Sequence, residues 1–300
     1  MSEAQPTLDR HALGRRLSQL ANATATDALA RAAAANPAHH ARRIGLTGAP
    51  GAGKSTLAGR LALHRAPGKR LGVLAIDPSS PRSGGAILGD RIRMDELAGS
   101  AELYIRSIGS RSANDGLSDN LPEMLDTMDE FGFDEVLLET VGVGQAEYAA
   151  RAQVDTLVLV LLPESGDIVQ AMKAGIMEMA DIFVVNKADL PGAHKMATDI
   201  KRIAAISRKA DDEWRAPVLL ASSSQPATIA ELSQCIDRHQ AWLAETQKRA
   251  GLLEARARYR LQRLIERRAA EAIAGMDAQQ LRAPVDQQVE WALQAIRSHK

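Results

Sequence analysis

The chain has 300 residues, 45% of them apolar, with 37 Lys plus Arg balanced by 37 Asp plus Glu. That length allows one large domain with appendages, or two domains, and a sizeable core. Zero net charge without a basic block excludes the usual electrostatic footprint of a nucleic-acid or anionic-membrane binder, and the single cysteine, Cys235, excludes an internal disulfide or a cysteine-built zinc site.

Residues 8–35 are alanine-rich with leucine at helical spacing, and Asn36 and Pro37 end them. They predict one or two helices. Ile44 to Thr47 then reads as a short buried strand, 54–64 as a helix, and Leu71 to Ile76 as a second apolar strand ending at Asp77 and Pro78. A polar segment with Gly84 and Gly85 runs to Asp90. Further strands are expected at 103–108, 135–138, 156–162, 182–185 and 218–220, with helices between them. Unbroken apolar strands alternating with helices imply a mostly parallel sheet covered on both faces. With aromatics at 3%, this α/β plan suits the composition better than a β-sandwich. The last sixty or so residues carry only helical patterning, over 241–274 and, opened by Pro284, over 285–297. The expected plan is a helical extension (1–40), an α/β nucleotide domain (41–240) and a helical C-terminal arm (241–300). No stretch approaches the ~18 apolar residues of a membrane span. The N-terminus lacks a charged-then-apolar signal pattern, so a cytoplasmic location is expected.

Gly48, Ala49, Pro50, Gly51, Ala52, Gly53, Lys54 and Ser55 fit G-x-x-x-x-G-K-[ST] between a strand and a helix, the context that a phosphate loop requires. Glycines let backbone N–H groups wrap phosphate oxygens, and the helix offers its positive end. Lys54 is expected on the β- and γ-phosphates and the Ser55 hydroxyl on Mg2+. Asn186, Lys187, Ala188 and Asp189 follow an apolar strand as N-K-x-D. A carboxylate at Asp189 matches guanine N1–H and its 2-amino group, and adenine would leave that charge unpaired. Asn186 suits N7 and O6. Phosphate loop and N-K-x-D together favour GTP and GDP over ATP. Ser222, Ser223 and Ser224 follow the last strand, where GTPases keep a Ser-Ala-Lys or Ser-Ala-Leu base loop; a serine here replaces the alanine.

Glu139, Thr140, Val141 and Gly142 occupy the D-x-x-G position, with glutamate as the acid and the Gly142 N–H near the γ-phosphate. Asp77 and Asp90, at either end of the glycine-containing loop, are further metal acids. Val143 stands where many GTPases orient water with glutamine, so slow intrinsic hydrolysis is expected. Lys173 or Arg111 is a candidate for charge on the transition state.

The stretch from Asp77 to Asp90, the run from Glu139 to Gln145, and the loop from Gly48 to Thr56 resemble the MeaB/ArgK family, metallochaperone-type P-loop GTPases associated with methylmalonyl-CoA mutase. The likeness runs from about Ala41 to Ile229. The resemblance implies a GTP hydrolase that assists an adenosylcobalamin-dependent acyl-CoA mutase, gating cofactor loading and protecting the mutase, and a homodimer made by the C-terminal arm. It brings Thr56 into the phosphate site and likens 163–173 to a third switch, where Ile168 and Val169 depart from the family's Gly-Asp-Glu-Leu-Gln. A related mutase is therefore an open client. No cobalamin-binding D-x-H-x-x-G motif occurs, so the chain itself is not expected to hold the cofactor. A transport-associated kinase or ATPase, a metal-delivery GTPase and a non-catalytic GTP sensor are the competing readings. His39 and His40 are the only histidine pair relevant to metal delivery, and more simply mark a solvated helix end.

Overall fold

The computed structural model describes residues 7–34, 40–78, 103–110, 120–140, 146–163, 175–206 and 213–298. Among these residues seven strands make one sheet, all parallel: β1 (Arg42–Thr47), β2 (Leu71–Pro78), β3 (Leu103–Ser110), β4 (Glu135–Glu139), β5 (Thr156–Leu161), β6 (Ile182–Val185) and β7 (Val218–Leu220). Their order is β3-β2-β4-β1-β5-β6-β7. The chain leaves β1 toward one side, returns at β4, then continues from β5 on the other side. The carboxyl end of β1 is thus the point where strand order reverses, the usual place for a ligand crevice in an open α/β sheet.

β4, β5 and β6 are buried at every residue, and β1 at every residue but Arg42, because both sheet faces are covered. On one face α3 (Lys54–Arg65) and α7 (Pro226–Glu245) pack Leu57, Leu61, Leu232 and Ile236 onto Ile44, Leu46, Val158 and Val160. On the other, α1 (Arg10–Ala21), α4 (Leu121–Glu130) and α5 (Ala146–Gln153) cover Leu74, Val136, Leu138 and Leu157. There α6 (Ala193–Ile206) adds Met196 and Ile200 against Leu159 and Phe183. The N-terminal helical segment is two helices, α1 and α2 (Ala25–Ala34); Asp9 caps α1 by accepting from the Ala12 N–H at 2.8 Å.

The helical run expected over 241–274 is corrected in one respect: it is divided. Helix α7 ends at Glu245, Gln247 adopts φ 56°, and α8 (Arg249–Ala274) starts afresh, followed by α9 (Val285–Ser298). The left-handed residue turns the chain back, so α8 lies across α2 and α5. Its inner face is held by charge. Arg256 reaches Asp155 at 2.7 Å, and Arg260 reaches Asp126 at 2.7 Å and Glu123 at 3.3 Å. Its outer face and that of α9 leave Leu261, Ile265, Val285, Val289 and Leu293 exposed. No helix among the described residues is long and apolar enough to cross a membrane.

Candidate nucleotide site

Four of the site segments expected from the sequence meet at one sheet edge, because β1, β4, β6 and β7 run parallel and end together. β1 delivers the glycine loop, β4 delivers Glu139, β6 delivers Asn186 to Asp189, and β7 delivers Ser222 to Ser224.

The loop conformation explains its glycines. Gly48, Gly51 and Gly53 have φ of 138°, 82° and 83°, which side chains rarely adopt. At Gly48 a Cβ would stand 1.9 Å from the Val160 carbonyl oxygen, so the loop leaves β1 pressed against β5. Gly53 is the left-handed N-cap of α3, whose first-turn N–H groups have no intrahelical acceptor. Such a turn followed by a helix N-terminus presents donors and positive potential to an anion.

Lys54 is buried and donates to the carbonyls of Gly48 at 2.8 Å and Ala49 at 3.0 Å, which hold the ammonium across the loop. The Ser55 hydroxyl donates to Glu139 Oε1 at 2.6 Å. These two hard oxygen donors, adjacent to a phosphate loop, fit Mg2+, which takes one or two protein oxygens together with phosphates and water. Thr56 is exposed on the first turn of α3.

The segment from Asn186 to Asp189 is tied to the glycine loop through two side chains. Asn186 is buried, and its Nδ2 donates to the Ala52 carbonyl at 2.8 Å, so the amide faces the phosphate loop. Lys187 adopts φ 53° and reaches the Gly51 carbonyl at 3.3 Å. Asp189 is exposed; Ser222 Oγ donates to its Oδ1 at 2.9 Å and lies 2.8 Å from Ser224 Oγ. Serine at position 222 thereby orients the carboxylate, while Ser223 is half-buried.

Asp77 lies near the carboxyl end of β2, opposite Gly109 of β3, at the same sheet edge. Asp90, Arg111, Gly142, Val143, Gln145 and Lys173 lie outside the described residues. His40 bonds Asp129 Oδ2 at 3.0 Å, on the opposite side of the domain from the glycine loop, near the start of β1.

A wholly parallel sheet with this loop at its reversal point, and a second loop that clamps it, defines a P-loop nucleotide-binding fold of the GTPase class. The sequence matches the family described as methylmalonyl Co-A mutase-associated GTPase MeaB over residues 16–280, and the chain belongs to that family. A provisionally named GTPase of Pyrococcus abyssi is 41% identical over 237 residues, covering 77% of this chain and 71% of that protein. The mitochondrial methylmalonic aciduria type A homolog of Mus musculus is 39% identical over 196 residues, 63% of this chain and 47% of the mouse protein. Among solved structures, a LAO/AO transport system kinase superposes with a TM-score of 0.63 at 23% identity, over 96% of this chain and 99% of that one, a likeness of fold.

Proposed function

We propose that this protein binds GTP with Mg2+, hydrolyses it to GDP and phosphate, and couples that cycle to cofactor loading and protection of an adenosylcobalamin-dependent acyl-CoA mutase. The observation that carries the hydrolase reading is the contact between the Ser55 hydroxyl and the Glu139 carboxylate at 2.6 Å beside the glycine loop. The relatives' GTPase names and the mutase in the family description support the rest.

The residues divide the work by chemistry. Backbone N–H groups of Gly48 to Thr56 bind phosphate oxygens, and Lys54 brings its charge to the β- and γ-phosphates. Ser55 and Glu139 hold Mg2+, with Asp77 and Asp90 as further acids of its sphere. When bound, Mg2+ neutralises charge on the transferring phosphoryl group. Asp189, oriented by Ser222, accepts from guanine N1–H and the 2-amino group. Gly142 meets the γ-phosphate. With Val143 in the water-orienting place, the isolated protein hydrolyses slowly, and a basic group such as Lys173 supplies charge when the mutase docks.

The exposed apolar stripe on α8 and α9 supports a homodimer through the arm, in keeping with the tendency of large exposed apolar patches to be covered by a partner. The chain works in the cytoplasm, binds no cobalamin itself, and engages neither nucleic acid nor membrane. The test is calorimetric titration with GTP, GDP and ATP, followed by GTP turnover with and without a cobalamin-dependent acyl-CoA mutase. Tight guanine nucleotide binding, weak ATP binding and mutase-stimulated turnover are expected. Equal ATP affinity ends the GTPase reading, and a mutase that binds both nucleotide states equally and leaves turnover unchanged ends the chaperone reading.

A further inference from the structure

Two buried threonines flank the site without being assigned a role by any motif above. Thr47 ends β1 directly before Gly48, and Thr140 follows β4 directly after Glu139. The strands are parallel neighbours with Leu46 opposite Glu139. The Thr140 N–H donates to the Leu46 carbonyl at 3.1 Å. One step further on, the side chains join the strands: Thr140 Oγ1 donates to Thr47 Oγ1 at 3.0 Å. Thr47 is 0% exposed and Thr140 1%.

Core packing alone does not call for this pair. Valine has the same shape as threonine, and a buried hydroxyl costs desolvation that a hydrogen bond only offsets. The location suggests what the pair does. On one side of β1, Gly48 is pressed against the Val160 carbonyl. On the other, the hydroxyl bond fixes the exit of β4. Ser55 and Glu139 come from segments far apart in sequence, yet their oxygens meet at 2.6 Å. Mg2+ demands near-ideal octahedral geometry, so a small drift of one strand end against the other separates its ligands.

We propose that the Thr47–Thr140 hydroxyl pair is a positioning device that locks Glu139 in register with the phosphate loop and so sets how strongly Mg2+ tightens nucleotide binding. This rests on the magnesium-dependent GTPase reading. Thr47 and Thr140 are positioning residues, acting through Glu139 and Gly48.

The test uses full-length wild type, Thr140→Val, Thr140→Ser and the double variant Thr47→Val with Thr140→Val. Affinity for a fluorescent non-hydrolysable GTP analogue is measured with Mg2+ and with a chelator, alongside urea unfolding. In wild type, Mg2+ tightens binding. Thr140→Val should reduce that tightening about tenfold while leaving chelator affinity unchanged, and Thr140→Ser should retain it. The double variant should regain stability, because removing both partners leaves no orphaned hydroxyl, yet still lack the magnesium effect. It also keeps the test decisive if the single valine variant unfolds. A stable double variant with wild-type magnesium dependence overturns the proposal and leaves the GTPase reading standing. Wild-type binding that ignores Mg2+ overturns both.

Discussion

At the scale of single residues, the glycine loop separates two physical demands that its sequence pattern merges. Gly48 needs space, since an added Cβ would stand 1.9 Å from a backbone oxygen, whereas Gly51 has nothing within 4 Å and needs only its φ of 82°. Gly48→Ala should therefore cost roughly 2–4 kcal/mol in urea unfolding, and Gly51→Ala about 1 kcal/mol. Equal costs would show that sterics at β5 do not shape the loop. At the other end of the site, Asp189→Asn should weaken guanine binding about 100-fold in calorimetry, because the replaced carboxylate no longer accepts two donors from the base. Ser222→Ala should cost less, about fivefold, since it only frees a correctly charged carboxylate to rotate.

At the scale of elements, the far edge of the sheet is organised by buried polar groups that the nucleotide site does not use. Helix α7 is tied to β5 through His239, which lies 2.9 Å from Thr156 Oγ1 and packs in one cluster with the rings of Trp214 and Trp242. Burial, aided by the nearby Arg151 charge, lowers the His239 pKa from 6.5 to about 4. The folded protein thus refuses a proton that the unfolded chain accepts between those values. Stability tied to this group is complete above pH 6.5 and falls as pH drops towards 4. Urea unfolding should show about 2 kcal/mol less stability at pH 5 than at pH 7 from this residue, and His239→Gln should remove that difference. Helix α8 is held by the Arg256–Asp155 pair, both buried. Arg256→Met removes the guanidinium that bonds Asp155 at 2.7 Å, with the Arg249 Nε standing farther off at 3.8 Å, and should cost about 3 kcal/mol, with faster hydrogen exchange concentrated in α8.

At the scale of the whole molecule, the C-terminal arm has two unlike faces. Arg256, Arg260, Arg267 and Arg268 lie inward on α2, α4 and the loops beside them, and Leu261, Ile265, Val285, Val289 and Leu293 lie outward. Val285, Val289 and Leu293 repeat every fourth residue along one side of α9, Val285 with 72% of its surface exposed. Under the homodimer reading, Val289→Glu with Leu293→Glu should give a monomer by light scattering while urea stability at low protein concentration stays unchanged. A double variant that keeps the wild-type mass would move the dimer contact elsewhere.

The sequence by itself carried the chemistry and the fold class. A phosphate loop and N-K-x-D are contiguous runs whose residue types are dictated by the ligand, so they are readable without coordinates, and seven apolar strand runs separated by helices imply a covered parallel sheet. Only the tertiary structure decided which strand ends meet. That Asn186 spends its amide on the phosphate loop, that Thr47 faces Thr140, and that Asp155 awaits Arg256 all depend on strand order and on the turn at Gln247. A hydrogen bond acts across 3 Å of space whatever its separation along the chain, and threonine before glycine or arginine within a helix has the same local pattern whether or not a partner lies opposite. The reversal of strand order at β1 brings those partners within reach, and no local run of residues encodes it.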